Sequence, residues 1–151
     1  MFVPFILGSK IDNDHAMKIA KTLEEFGVPY KIHVSSAHKV PEKTLALLDA
    51  YNKSEDKIVY VTIAGRSNAL SGLVSANTAF PVIACPPFSD KADYLVNIHS
   101  TIQMPSETPA MTVVDTQNAA LAVLKILALG DAALTEKINA HIKSVKDSFD
   151  A

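Results

Sequence analysis

Short apolar runs alternate with helix-length amphipathic segments along most of the chain, and this alternation restricts the fold more than any other feature. Strand–helix–strand units of that kind build a parallel sheet covered by helices. Residues 58–63, Ile-Val-Tyr-Val-Thr-Ile, are apolar and β-branched almost throughout rather than alternating, as expected of a strand covered on both faces. Further strand runs fall at residues 2–7, 30–34, 82–84 and 110–114. Pro4 has no N–H to give a ladder, so the first strand is expected to start effectively at Phe5.

The intervening segments carry helix signals. Asp12 is placed to cap a helix running to about Phe26, with Ala16, Ile19, Ala20 and Leu23 on its buried face. Pro41 suits the first turn of a helix with a stripe of Leu45, Leu48 and Tyr51. Residues 67–76 read as a helix in which Gly72 allows close packing on another backbone. Residues 118–129 read as a buried Ala/Leu-rich helix ended by Gly130, and the stretch after Pro86-Pro87 through Met104-Pro105 as irregular. A last amphipathic helix, 131–149, carries Leu134, Ile138, Ile142 and Val145 on one side. The expected organisation is a domain at 1–130 and an appended helical segment at 131–151, which docks on its own subunit or on a neighbour.

Composition narrows the function classes. A chain of 151 residues is one domain by length and can bury a core without disulfides. Net charge is −2 with no basic block, which argues against nucleic-acid binding. The single cysteine, Cys85, excludes an internal disulfide, fits a reducing cytoplasmic setting and reads as a small buried apolar residue. No run approaches the roughly 20 apolar residues of a membrane span, no secretory leader is visible, and no metal-ligand spacing appears.

Three segments carry the chemistry, each directly after a strand run: Gly8-Ser9-Lys10-Ile11-Asp12, Ser35-Ser36-Ala37-His38-Lys39 and Ala64-Gly65-Arg66-Ser67-Asn68. In a parallel sheet such segments gather at the carboxyl edge, where ligands bind. Gly8 and Ser9 form either a plain turn or an anion-binding one, and Asp12 either a helix cap or an acceptor for a sugar hydroxyl. His38 is a proton shuttle by type, flanked by Ser36, Ala37 and Lys39, or else a solvated loop histidine. Gly65, Arg66, Ser67 and Asn68 either stabilise an anion at a helix start or simply cap the helix, with Ser67 as the cap. His15, His33, His99 and His141 read as structural or surface residues.

Together and in this order, the segments resemble the aminoimidazole ribonucleotide (AIR) carboxylases and N5-carboxyaminoimidazole ribonucleotide mutases of purine biosynthesis. Ser36-Ala37-His38-Lys39, Ala64–Asn68 and Ile83-Ala84-Cys85-Pro86-Pro87 look like the branch that takes carbon dioxide directly, whereas Gln103-Met104-Pro105 looks more like the mutase branch. The chain differs from the family at Ile11, where serine is usual, and at Ser106-Glu107, where a small residue–glycine pair is usual. A Glu107 carboxylate is expected to lie near the anionic substrate.

The resemblance implies a flavodoxin-like three-layer α/β/α sandwich, a homo-octamer with shared active sites, and a last helix reaching a neighbouring subunit. It implies reversible carboxylation of AIR at C4 by carbon dioxide without a cofactor, with His38 moving the C4 proton. Ser9, Ser36 and Lys39 would hold the 5′-phosphate and Asp12 the ribose. Ser67, Asn68 and nearby backbone N–H groups would hold the carboxyl group. The alternatives are the mutase, a distant relative using Cys85 as nucleophile, and a nucleotide-binding paralogue with weak or no turnover.

Overall fold

The computed structural model describes residues 1–149; positions 150 and 151, the end of the expected appended segment, lie outside the described residues. The elements are β1 (Val3–Leu7), α1 (Asn13–Phe26), β2 (Tyr30–Val34), α2 (Pro41–Asn52), β3 (Tyr60–Ile63), α3 (Ala69–Ser75), β4 (Val82–Ala84), α4 (Lys91–Ile102), β5 (Met111–Thr112), α5 (Thr116–Ala128) and α6 (Ala132–Asp147). The strands form one parallel sheet in the order β2-β1-β3-β4-β5. This is the flavodoxin-like arrangement, with the strand order reversing between β1 and β3.

The pleat of the central strands divides the core. Val3, Phe5 and Leu7 of β1, with Val61 and Ile63 of β3, face a layer made by α1, α5 and the start of α6. Ile6 and Tyr60 face the other way, onto Leu48 of α2 and Leu70 and Val74 of α3. Fully burying one such aliphatic side chain contributes about 1.5–3 kcal/mol. The result is the three-layer sandwich.

β1 begins at Val3 and runs through Pro4, contrary to the expected start at Phe5. The N–H of Val3 bonds to Pro29 O on the β2 side, 3.0 Å away. Successive strand residues aim their N–H groups at opposite neighbours, so the hydrogen that Pro4 lacks belongs on the β3 side. Pairing on that side is made at Phe2, opposite Ile58, and resumes at Phe5, opposite Val61, and Pro4 fills the gap between them.

Several local expectations are corrected. α2 buries Thr44 and Leu48, while Leu45 is exposed. The Thr44 hydroxyl shares a buried hydrogen bond with Ser35 Oγ at 2.9 Å, so a polar residue completes the stripe. Asp12 does not cap α1 with its side chain; its carboxylate turns back to accept from Ser9 N at 3.1 Å. The cap of α3 is Asn68, not Ser67, and a Cβ on Gly72 would meet the Met104 side chain at 3.1 Å rather than a backbone.

The largest correction is α4, twelve residues long, where irregular chain was expected. Its N-cap Asp90 accepts from Asp93 N at 2.9 Å. Its inward face is polar, with Asn97 and Thr101 buried, while Leu95, Val96 and Ile102 are exposed. A helix that buries amides and hydroxyls gives no apolar stripe to read.

α6 packs on its own chain. Leu134 and Ile138 belong to the main core, and Lys137 Nζ donates to Phe26 O at the end of α1, 3.0 Å away. Val145 and Phe149 stay exposed. Among the described residues, no helix is long and apolar enough to cross a membrane.

Arg66 and Glu107 are the described non-glycine residues with left-handed backbone, at φ 58° and 65°. For an L side chain this costs about 1–2 kcal/mol, against about 0.5–1 kcal/mol of extra chain entropy lost by glycine. Glu107 is exposed. Glu107→Gly is therefore expected to stabilise the fold by about 0.5–1 kcal/mol, read as a higher urea midpoint at unchanged slope.

Candidate active site

The strand order sends the chain to opposite sides after β1 and β3, and a cleft opens between the loops that follow them. Gly8 N donates to Ile63 O at 2.8 Å and Ser35 N to Leu7 O at 2.9 Å, so the loops after β1, β2 and β3 leave from adjoining strand ends. A Cβ on Gly8 would stand 3.3 Å from that of Ala64, so glycine lets the first and third loops approach. The cleft encloses about 820 Å³, within the range of small-molecule sites.

From the first loop, Gly8, Ser9 and Asp12 line the cleft. Ser9 caps a single 3-10 turn, Lys10–Asp12, its hydroxyl accepting from Ile11 N while Asp12 reaches back to Ser9 N. This reciprocal box fixes Asp12 inside the loop. Burial raises the Asp12 carboxyl above its usual range, opposed in part by the Ser9 N–H. Ile11 also lines the cleft, at its exposed edge.

From the second loop come Ser36, Ala37, His38 and Lys39. Lys39 N and Val40 N both donate to Ser36 O, folding a tight turn that presents His38 and Lys39 exposed. The buried Ser35–Thr44 hydrogen bond and Lys43 Nζ on Val34 O, 2.8 Å, tie the base of this turn to α2.

The third loop contributes Gly65, Arg66 and Ser67. Two of its backbone N–H groups are already engaged: Arg66 N donates to Asn97 Oδ1 at 2.5 Å and Asn68 N to Ser100 Oγ at 2.7 Å. Asn68 does not line the cleft with the others. Its amide is spent on Ser71 N, Ser71 Oγ and Thr101 Oγ1, and it is buried. What this loop offers a ligand is therefore the Arg66 guanidinium and the Ser67 hydroxyl, not the Asn68 amide.

Among the cleft residues that escape the sequence reading of the site are His15 of α1 and Asn97 of α4, together with Asp14, Phe88, Ser89 and Asp93. His15 Nε2 lies 3.4 Å from Cys85 Sγ. Burial chiefly, and then the charge of Lys18, lower the His15 pKa. Cys85 is fully buried and its thiol is pushed up to about 12, mainly by burial and then by Asp115. A thiol that keeps its proton is a poor nucleophile. His33 pairs with Tyr51 at 2.7 Å, His141 meets Phe26 edge to face and His99 is exposed, as expected of structural and surface histidines. Glu107 is not among the residues lining the cleft.

The matches to known proteins agree with this geometry. A family model described as AIR carboxylase matches residues 2–148. A phosphoribosylaminoimidazole carboxylase of Archaeoglobus fulgidus is 51% identical over 88% of this chain and 72% of its own. One of Treponema denticola is 39% identical over 94% of this chain and 89% of its own. The crystal structure of Treponema denticola PurE superposes with a TM-score of 0.92 at 38% identity, covering 98% of this chain and 93% of that one. A cleft at the β1/β3 crossing, the Ser36–Lys39 turn and near-complete coverage by the family model converge, and the chain belongs to the AIR carboxylase family.

Proposed function

We propose that this chain is an AIR carboxylase of purine biosynthesis which joins carbon dioxide directly to C4 of AIR, with His38 as the proton-transferring base. The observation that carries the reading is the position of His38, exposed on a braced turn that lines the cleft beside Lys39, in a cleft also lined by Arg66 and Ser67. The amino-substituted imidazole behaves as an enamine. Its C4 electron pair forms the new bond to the carbon of carbon dioxide, whose C=O electrons move onto oxygen. The adduct is a tetrahedral C4 bearing both a carboxylate and the original hydrogen. Removal of that hydrogen as a proton by His38 returns the C–H pair to the ring and restores aromaticity; the reverse sequence is decarboxylation. This is general acid–base catalysis, and the nucleophile is the substrate itself.

Lys39 supplies a point charge for the 5′-phosphate, with Ser9 and Ser36 as hydroxyl partners. Asp12 takes the ribose. Arg66 and Ser67 face the carboxyl group, a task that Asn68 cannot share because its hydrogen bonds are used inside the fold. A homo-octamer with shared sites is part of the proposal. It is supported by the exposed Phe88, Leu95, Val96, Ile102 and Met111 around α4 and the edge strand, and by Val145 and Phe149 at the end of α6. Cytoplasmic residence accords with the single reduced cysteine.

The test is an ultraviolet assay with AIR and bicarbonate, without ATP, run beside one with freshly prepared N5-carboxylated AIR. Saturable formation of the 4-carboxylate from AIR and carbon dioxide is expected. Turnover from the N-carboxylated nucleotide alone would reassign the chain as a mutase, and nucleotide binding with no turnover from either would make it a binding paralogue.

A further inference from the structure

We propose that His15 is a substrate-binding residue: a neutral imidazole whose Nδ1 accepts a hydrogen bond from a ribose hydroxyl of the bound nucleotide. The proposal rests on the assignment of the cleft to AIR, and extends it to a residue outside the three loops that mark the site in the sequence.

The tautomer follows from a chain of hydrogen bonds. Cys85 Sγ lies 3.6 Å from Val114 O and 3.4 Å from His15 Nε2. A carbonyl oxygen has no proton to give, so the thiol donates to Val114. The sulfur then meets His15 with a lone pair, and Nε2 must carry the hydrogen. Nδ1 is left as an acceptor; the ring's other contact is the Cys85 backbone, which works against the lowering of its pKa by burial. Burial favours the neutral ring and the protonated thiol, which keeps the chain in that state.

The position selects the ligand group. His15 lies in the first turn of α1, three residues after Asp12, so the two side chains are neighbours on the helix surface. Both line the cleft. Asp12, the proposed ribose contact, and His15 therefore present two acceptors side by side, which matches the paired hydroxyls of a ribose. Ser9, Ser36 and Lys39 take the phosphate, which leaves His15 and Asp12 for the ribose.

The amide side chains separate a binding role from a structural one. Asparagine carries an amide atom near the place of Nδ1 and glutamine near the place of Nε2. The experiment measures steady-state kinetics for AIR and its 2′- and 3′-deoxy analogues with wild type, His15→Phe, His15→Asn and His15→Gln, each checked by thermal melting. His15→Phe and His15→Gln are expected to raise KM for AIR about tenfold, with the loss on KM rather than kcat. His15→Asn should recover most of it. His15→Phe should lose the wild-type preference for AIR over one deoxy analogue.

A merely structural clamp on Cys85 gives the opposite order, with glutamine like wild type and asparagine like phenylalanine; that order, or undiminished deoxy discrimination in folded His15→Phe, overturns the proposal. Cys85→Ala provides a second approach. It frees the tautomer without touching the ligand and should raise KM by about threefold, whereas unchanged KM contradicts the relay. If wild type binds AIR without turnover, the carboxylase reading fails by itself, and calorimetric affinities of the same variants still decide the role of His15.

Discussion

His38→Asn is expected to lower carboxylation of AIR by about a thousandfold or more while the nucleotide still binds. Addition of carbon dioxide leaves a hydrogen on C4, and the ring cannot regain aromaticity until a base removes it. General acid–base groups contribute about 10²–10⁴-fold, and here little else is asked of the protein because the enamine supplies its own electron pair. His38 is exposed on its turn, so its replacement is expected to change stability by no more than about 0.5 kcal/mol. Loss of turnover is then attributable to chemistry. The direct readout is release of deuterium from C4-labelled AIR during turnover, which should disappear with the carboxylate product. Persistence of either within tenfold of wild type would require another base. His15, the other histidine in the cleft, is poorly suited to that part, because burial lowers its pKa and its Nδ1 is assigned to the ribose rather than to C4.

The framework of this site was legible because the residues that build it are of the types read most directly from sequence. Ile58 through Ile63 can only be a covered strand, and Gly8, Ser36–Lys39 and Gly65–Ser67 each follow such a run. The parts that escaped share one property: they bury polar groups. α4 turns Asn97 and Thr101 inward, α2 seats Thr44 against Ser35, and Asn68 is enclosed by Ser71, Ser100 and Thr101. A buried amide or hydroxyl is stable only when its partners are in place, and those partners lie up to 33 residues away, beyond any periodicity. His15 was hidden for a related reason. It is one position on a well-formed amphipathic helix, and only the sheet order brings Cys85 to it, 70 residues later in the chain.

Asn97 shows how much of the site depends on such a group, and Asn97→Ala is expected to damage both stability and activity. The Asn97 side chain accepts from Arg66 N at 2.5 Å and donates to Pro87 O at 2.6 Å, linking the loops after β3 and β4 while only 2% exposed. It also fills the space beside Gly65, whose absent Cβ would lie 3.0 Å from Nδ2. Arg66, held by that hydrogen bond, has the left-handed φ of 58°. Truncation leaves two partly buried backbone groups without partners, at about 1–3 kcal/mol for each. A total loss of about 3 kcal/mol is therefore expected, read as a lower urea midpoint. Without the restraint, Arg66 can relax toward ordinary backbone angles and carry its guanidinium away from the carboxyl end of the substrate. The expected kinetic signature is a fall of about 10²-fold in kcat/KM at a temperature where the variant is still folded, as misplacement of a positioned group typically produces. Asn97→Asp keeps the acceptor for Arg66 N but sets an oxygen against Pro87 O and buries a carboxyl group, so it should also cost stability, yet where folded it should retain more of the activity than alanine does. If the two variants prove equally impaired while equally folded, the hold on Arg66 is not what Asn97 contributes, and the link to Pro87 carries the effect instead.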